Sequence, residues 1–363
     1  MVIEVSVTEA LKKSLKEVYR LGLEVDKQGS IILDETMAFH RISKALEEYG
    51  IVYTSIREAL DRYSDIVERY GLKLFNIDKR SFDNGILLYV PKNTRLVDPV
   101  YTCYTLASKG FVQRVYNLLV LEEGSEAVSV TGCLSIVPEG VHSSITETYI
   151  GRNARLYMIM VHNWMPEVVM GTVKRVRLME NAQYYDYYVN LVPPKSMGFT
   201  IELYLEGENS SASSNTILVG RRDSRMVYTT RAYLEAPGSS AELVSRMLGE
   251  DSSRVVSRAT IVAKAEDTRG HIECQGLQLS NKAVLSTTPT LESYVENTRL
   301  THEASIGRIS EDELEYLISH GFTEDEAVSI IVRGFLELGV EKVPSKLRLL
   351  IQQTLDRLVG ASM

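Results

Sequence analysis

Late in the chain, His271 and Cys274 are followed by His302 and Glu303. Thiolate, imidazole and carboxylate together suit iron, zinc or an iron–sulfur cluster. If the chain here advances by roughly 28 residues per repeating unit, the interval 302 − 274 = 28 sets Cys274 and His302 in one column on adjacent units. Neighbouring residues of a flat strand point to opposite faces, so His302 and Glu303 serve one site only if the strand bends or a partner chain supplies the rest. The same residues admit a mononuclear zinc or iron centre of His271, Cys274 and His302, and a lone cysteine also serves as a small buried hydrophobe. Cys133 and His162 repeat the offset, 162 − 133 = 29, and His162 leads into Asn163 and Trp164, the one tryptophan. Packing is the simpler reading of that second group.

Other chemistry lacks its local geometry. There is no P-loop, no GxGxxG after a strand, no GxSxG and no HExxH, which removes the usual phosphate-binding, serine-nucleophile and zinc-protease readings. The three cysteines, Cys103, Cys133 and Cys274, are far apart with no CxxC pair, so neither a disulfide framework nor a thiolate-only zinc site forms within one chain. Tyr184, Tyr185, Tyr187 and Tyr188 enclose the acidic Asp186 and read as tyrosines stacked on a β face rather than a platform for bases. The net charge of −8 over 363 residues repels phosphate backbones and anionic lipid, so neither nucleic acid nor membrane is an expected partner. The N-terminus has acids and lysines where a secretory signal needs a continuous apolar stretch, and no window approaches ~20 apolar residues. A soluble, cytoplasmic chain is expected.

The elements that must position these residues fall into three stretches. From Ser6 to about Gly71 the pattern is helical: Leu11, Leu15 and Val18 share a face behind a Ser6-x-x-Glu9 capping box, with further helices over 35–48 and 55–69. From Ile86 to Leu300 short runs of Val, Ile, Tyr and Thr alternate with Gly, Asn and Ser, which reads as β. A polar residue followed by alanine recurs at Ala127, Ala154, Ala182, Ala212 and Ala241, with steps of 27, 28, 30 and 29. A near-constant period with strands as units predicts a β-helix. After Ser305 helices return: Ser310-x-x-Glu313 and Thr323-x-x-Glu326 are capping boxes, and Leu347, Leu350, Ile351, Leu355 and Leu358 mark a last helix beyond Pro344. These helices cap the open end of the solenoid, dock another protein, or both. The expected organisation is α+β, with helical regions at 1–85 and 305–363 around a β-helix at 86–304.

The segment HEASIGRISEDELEYLISHGFTEDEAVSIIVRGF, from His302 to Phe335, resembles the most recognisable part of the SufB/SufD core domain. That family comprises scaffold proteins of the SUF iron–sulfur cluster assembly system. GCLSIVPEGVHSSITETYIGRNARLYMIMVHNW, from Gly132 to Trp164, is similar to the family's glycine–cysteine and Asn-Trp strands. The resemblance implies a right-handed parallel β-helix and a scaffold rather than an enzyme, ATP hydrolysis belonging to a SufC-type ABC ATPase bound through the C-terminal helical region. It further implies a homodimer through the β-helices and a transient iron–sulfur cluster, the 4Fe–4S type being one candidate, with flavin involvement left open. In the SufB branch a cysteine and the Glu of a His-Glu pair 29 residues later are associated with cluster assembly. Cys274 and Glu303 stand at that spacing with His302 beside them. Cys133 and Trp164 match interior positions proposed to pass sulfur, and His162 stands where SufB chains tend to have Gln. Several features depart from SufB: no cysteine precedes Cys103, Thr301 replaces a glutamate, and no Arg-x-Asn appears near Thr105. LSNKAVLSTTPTLESY has a SufD flavour, and the mixture suits a single-subunit scaffold that pairs with itself. A SufD-like structural partner without its own cluster is the alternative.

Overall fold

A computed structural model of the chain describes residues 7–42, 44–71, 73–75 and 81–337, together with 349, 352, 353 and 356. From Ile86 to Gly307 the chain alternates between two sheets. One strand joins the first sheet, the next joins the second, and the strands inside the stack pair in parallel with the strand one coil earlier and one coil later. The result is a two-sheet parallel β-helix. The first sheet has ten strands, from Arg299–Gly307 back through Arg269–Gln278 and Ser240–Gly249 to Val100–Leu106, Gly29–Leu33 and Thr36–Arg41. The second has nine, from Val284–Ser293 back to Ile86–Val90 and Val52–Ser55.

Left-handed backbone at one corner sets the period. Gly124, Asn153, Asn181, Asn209, Gly238, Asp267 and Asn297 all have positive φ, a conformation that glycine, asparagine and aspartate tolerate best. Their steps are 29, 28, 28, 29, 29 and 30. The alanine marker mixes two phases of this column: Ala212 pairs with Ala241, whereas Ala127 pairs with Leu156 rather than Ala154. Both slips are of two residues, so side chains keep their face.

Leucine, isoleucine and methionine fill the space between the sheets around a stack of Tyr188, Phe199 and Tyr228, whose ring centroids lie 4.7–5.7 Å apart. The helix Val7–Arg20, through Ala10 and Val18, and the helix Glu324–Leu336, through Val332 and Leu336, belong to the apolar cluster on the outer face of the first sheet. The helices Ile56–Arg62 and Ser64–Tyr70 cover part of the second, against Leu87, Tyr116 and Leu118.

The N-terminal region is less helical than its pattern predicts. Residues 36–41, expected to be helical, form a strand antiparallel to Gly29–Leu33 that covers the first edge of the ten-stranded sheet, and only Lys44–Glu48 is helical. Pairing of an otherwise open edge overrides local propensity here. The 55–69 helix is broken at Tyr63. Thr323 and Glu326 form their capping box, while Ser310 caps without a side-chain hydrogen bond. The apolar stripe assigned to a last helix beyond Pro344 lies outside the described residues.

Candidate functional site

Cys274 lies on Arg269–Gln278, one strand before the open end of the ten-stranded sheet. Its alternation with Ile272 and Gly276 turns it inward, and it is fully buried. In register it faces Ser245 on the preceding coil and Ala304 on the following one. His302 instead pairs with Ile272 and Glu303 with Glu273. The expected column is therefore corrected by two residues: this coil advances by 299 − 269 = 30 rather than 28, because the Ser280–Ala283 turn lengthens it.

The parity of the slip matters more than its size. His302 keeps the inward face of Cys274 as a diagonal neighbour, about 8 Å away between Cα atoms from strand spacing and rise. Glu303 is carried on the other face, beside Glu273, which accepts from Arg246 Nη2 at 2.7 Å. Both His302 and Glu303 are exposed on the terminal strand. His271 belongs to the outer face, where its Nδ1 lies 2.8 Å from Thr301 Oγ1, so the sheet separates it from Cys274. Among the described residues, no three His, Cys, Asp or Glu side chains converge into a metal-binding group. One chain thus presents a buried thiol and an imidazole on one side of a terminal strand, with a carboxylate on the other.

Deeper in the solenoid, Cys133 and His162 are directly paired across neighbouring strands, both facing inward and buried. His162 Nδ1 is 3.0 Å from Tyr188 Oη, and its ring meets Trp164 at 5.5 Å. Across the lumen, His142 packs on the other side of Trp164 at 5.2 Å with Nδ1 2.7 Å from Gln113 Oε1. Burial holds His142 far down, at about 3, and pushes His162 well below its ordinary value, helped by His142 and Lys174. Both are neutral imidazoles. Burial, with Cys103 nearby, raises the Cys133 thiol well above its usual range, opposed by Lys174.

Polar side chains bridge the distance between the two thiols. In register behind Cys274 stand Ser245, Thr216 and Tyr188. Thr216 Oγ1 donates to Tyr228 Oη at 2.8 Å, and Ser257 Oγ to Ser245 Oγ at 3.2 Å, both bonds crossing the lumen between sheets. Five strand steps of about 4.8 Å put Cys133 and Cys274 on the order of 24 Å apart along the axis. Beside this track, Lys174 Nζ and Asp186 Oδ1 form a fully buried ion pair at 2.6 Å, and Tyr184 Oη donates to the same oxygen at 2.8 Å. His162 Nε2, Trp164 Nε1 and Asp186 Oδ2 have no hydrogen-bond partner among the described residues, unusual for buried polar atoms. Asp186 stands out within the tyrosine run, whereas its partner Lys174 does not; the signal for both is inward parity, Lys174 between Thr172 and Val176 and Asp186 between Tyr184 and Tyr188.

The family described as SUF system FeS cluster assembly, SufBD core domain, matches residues 104–335. An iron–sulfur cluster assembly SufBD family protein of Archaeoglobus fulgidus is 32% identical over 356 residues, covering 95% of this chain and 94% of that protein. One from Methanothermobacter thermautotrophicus is 33% identical over 365 residues, covering 96% and 88%, and one from Staphylococcus saprophyticus is 27% identical over 341 residues, covering 91% and 72%. The chain belongs to the SufBD family of iron–sulfur cluster assembly proteins.

Proposed function

We propose that this chain is the scaffold on which an iron–sulfur cluster is built as cargo, with Cys274, His302 and Glu303 holding the nascent cluster. The observation that carries the reading is the position of the three residues at the last two coils, where the solenoid ends in open strand edges. Among the described residues, Val284–Ser293 and Arg299–Gly307 each have a strand on one side only, and unpaired edges invite pairing with another chain. A second copy meeting this end doubles every residue near the axis and makes up the ligand shortage of one chain. Cys133, with His162 and Trp164 around it, is the interior position from which sulfur is handed on toward Cys274.

A SufC-type ABC ATPase docks on the C-terminal helices and hydrolyses ATP to open the paired scaffold. Supporting this, Tyr316, Leu317, Ile330 and Ile331 line a groove of ≈ 510 Å³ between Glu311–Ser319 and Glu324–Leu336, rimmed by Asp312 and Glu313. It suits a partner with an apolar ridge flanked by basic residues. The test is co-expression with a SufC-type ATPase followed by size-exclusion chromatography and iron and sulfide analysis under anaerobic conditions. A complex of two scaffold chains with the ATPase that gains iron and sulfide supports the reading; separate elution of the two proteins contradicts its ATPase arm, and a complex that takes up no iron contradicts the scaffold role.

A further inference from the structure

The outer face of the ten-stranded sheet carries an aromatic ladder with a rung missing. Tyr157 and Tyr185 are in register on neighbouring coils and stack with centroids 4.9 Å apart and planes 12° apart. The next position in that column is Ser213, then Glu242. Strands succeed one another at about 4.8 Å, so a further ring would continue the stack where Ser213 stands. The serine leaves a cavity of ≈ 330 Å³ instead, with Tyr185 as one wall, a volume within the range of small-molecule sites.

One column over, Ser240, Arg269 and Arg299 stand in register and line the same cavity. Their guanidinium groups come from adjacent coils, and neither forms an ion pair with an acid among the described residues. Planar, fixed donors of this kind grip phosphate through paired hydrogen bonds. Two strand steps, about 10 Å, separate the Ser213 slot from Arg269, comparable to the reach from a base to its diphosphate.

We infer that this trough binds a nucleoside phosphate, its base stacked on Tyr185 above Ser213, its sugar hydroxyls near Ser240 and Glu242, and its phosphates on Arg269 and Arg299. The site lies on the opposite side of the sheet from Cys274, so its occupancy and the cluster chemistry are separately measurable.

Isothermal titration of the purified chain with ADP, adenosine and inorganic phosphate tests the inference. ADP is expected to bind in the micromolar range and at least about tenfold more tightly than adenosine or phosphate. Ser213→Tyr, which fills the slot with the missing ring, and the pair Arg269→Gln and Arg299→Gln should each weaken ADP by about tenfold or more, with thermal unfolding unchanged or, for Ser213→Tyr, raised. Absence of ADP binding at about 1 mM, equal affinity for phosphate alone, or undiminished ADP binding by the folded variants would overturn it.

Discussion

Lys174 and Asp186 concentrate the largest electrostatic commitment of the interior. Both are wholly buried, and removing one partner of such a pair leaves a bare charge in a medium that solvates it poorly, at a cost of about 3–5 kcal/mol. Lys174→Met should lower the unfolding free energy by about that amount in urea titrations, and Lys174→Met with Asp186→Leu should recover most of it. The neighbouring imidazoles give a pH signature of definite sign. His142 and His162 have folded-state values below that of the unfolded chain, so the unfolded state binds protons first and stability is lost as pH falls below about 6.5. His142 should withdraw on the order of 2 kcal/mol between pH 6.5 and 5, with His162 acting in the same direction, and His142→Gln should flatten the slope of denaturation midpoint against pH. The same burial keeps the Cys133 thiol protonated at neutral pH, so accepting sulfur there requires a base at the moment of transfer. Cys133 with His162 was legible from their spacing of 29 because that coil has the same length. Lys174 was not, because a lysine inside a solenoid contradicts the expectation that charge faces water.

At the scale of the element, the corner residues carry the repeat. Asn153 and Asn181 are both left-handed, and Asn181 Nδ2 donates to Asn153 Oδ1 at 3.0 Å, so one coil's turn supports the next. Asn181→Ala should cost about 1 kcal/mol, since alanine is strained where φ is positive, while Asn181→Gly should stay close to the parent; thermal unfolding of the two variants separates them. Period and architecture were readable from short β runs spaced at a near-constant interval. The register was not, because Ala127 and Ala154 occupy different phases of the coil, and the longer Ser280–Ala283 turn separately displaces His302 by two residues against Cys274. The helix expected over 35–48 survives only at Lys44–Glu48, for another reason: TMAFHR is recruited to cover an edge that only the assembled sheet possesses.

For the whole molecule, the solenoid has two unlike ends. The first ends in the antiparallel strands Thr36–Arg41 and Val52–Ser55; the second ends in parallel strands and exposes Val284, Tyr294 and Ile306 on and beside them. Ile306→Lys places a charge at that edge and should convert the proposed dimer to monomers by light scattering, with the proposed ATPase binding retained. Tyr316→Glu in the C-terminal groove should do the reverse, abolishing ATPase association in pull-downs while leaving the dimer intact.

The role of Cys274 decides between a cluster-bearing scaffold and a purely structural subunit. Anaerobic reconstitution of the purified chain with ferrous iron and sulfide, read by visible absorption and Mössbauer spectroscopy, should give a cluster in the parent chain and none in Cys274→Ser, whose oligomeric state and thermal unfolding remain those of the parent. An equal yield of the same cluster in Cys274→Ser would contradict the account.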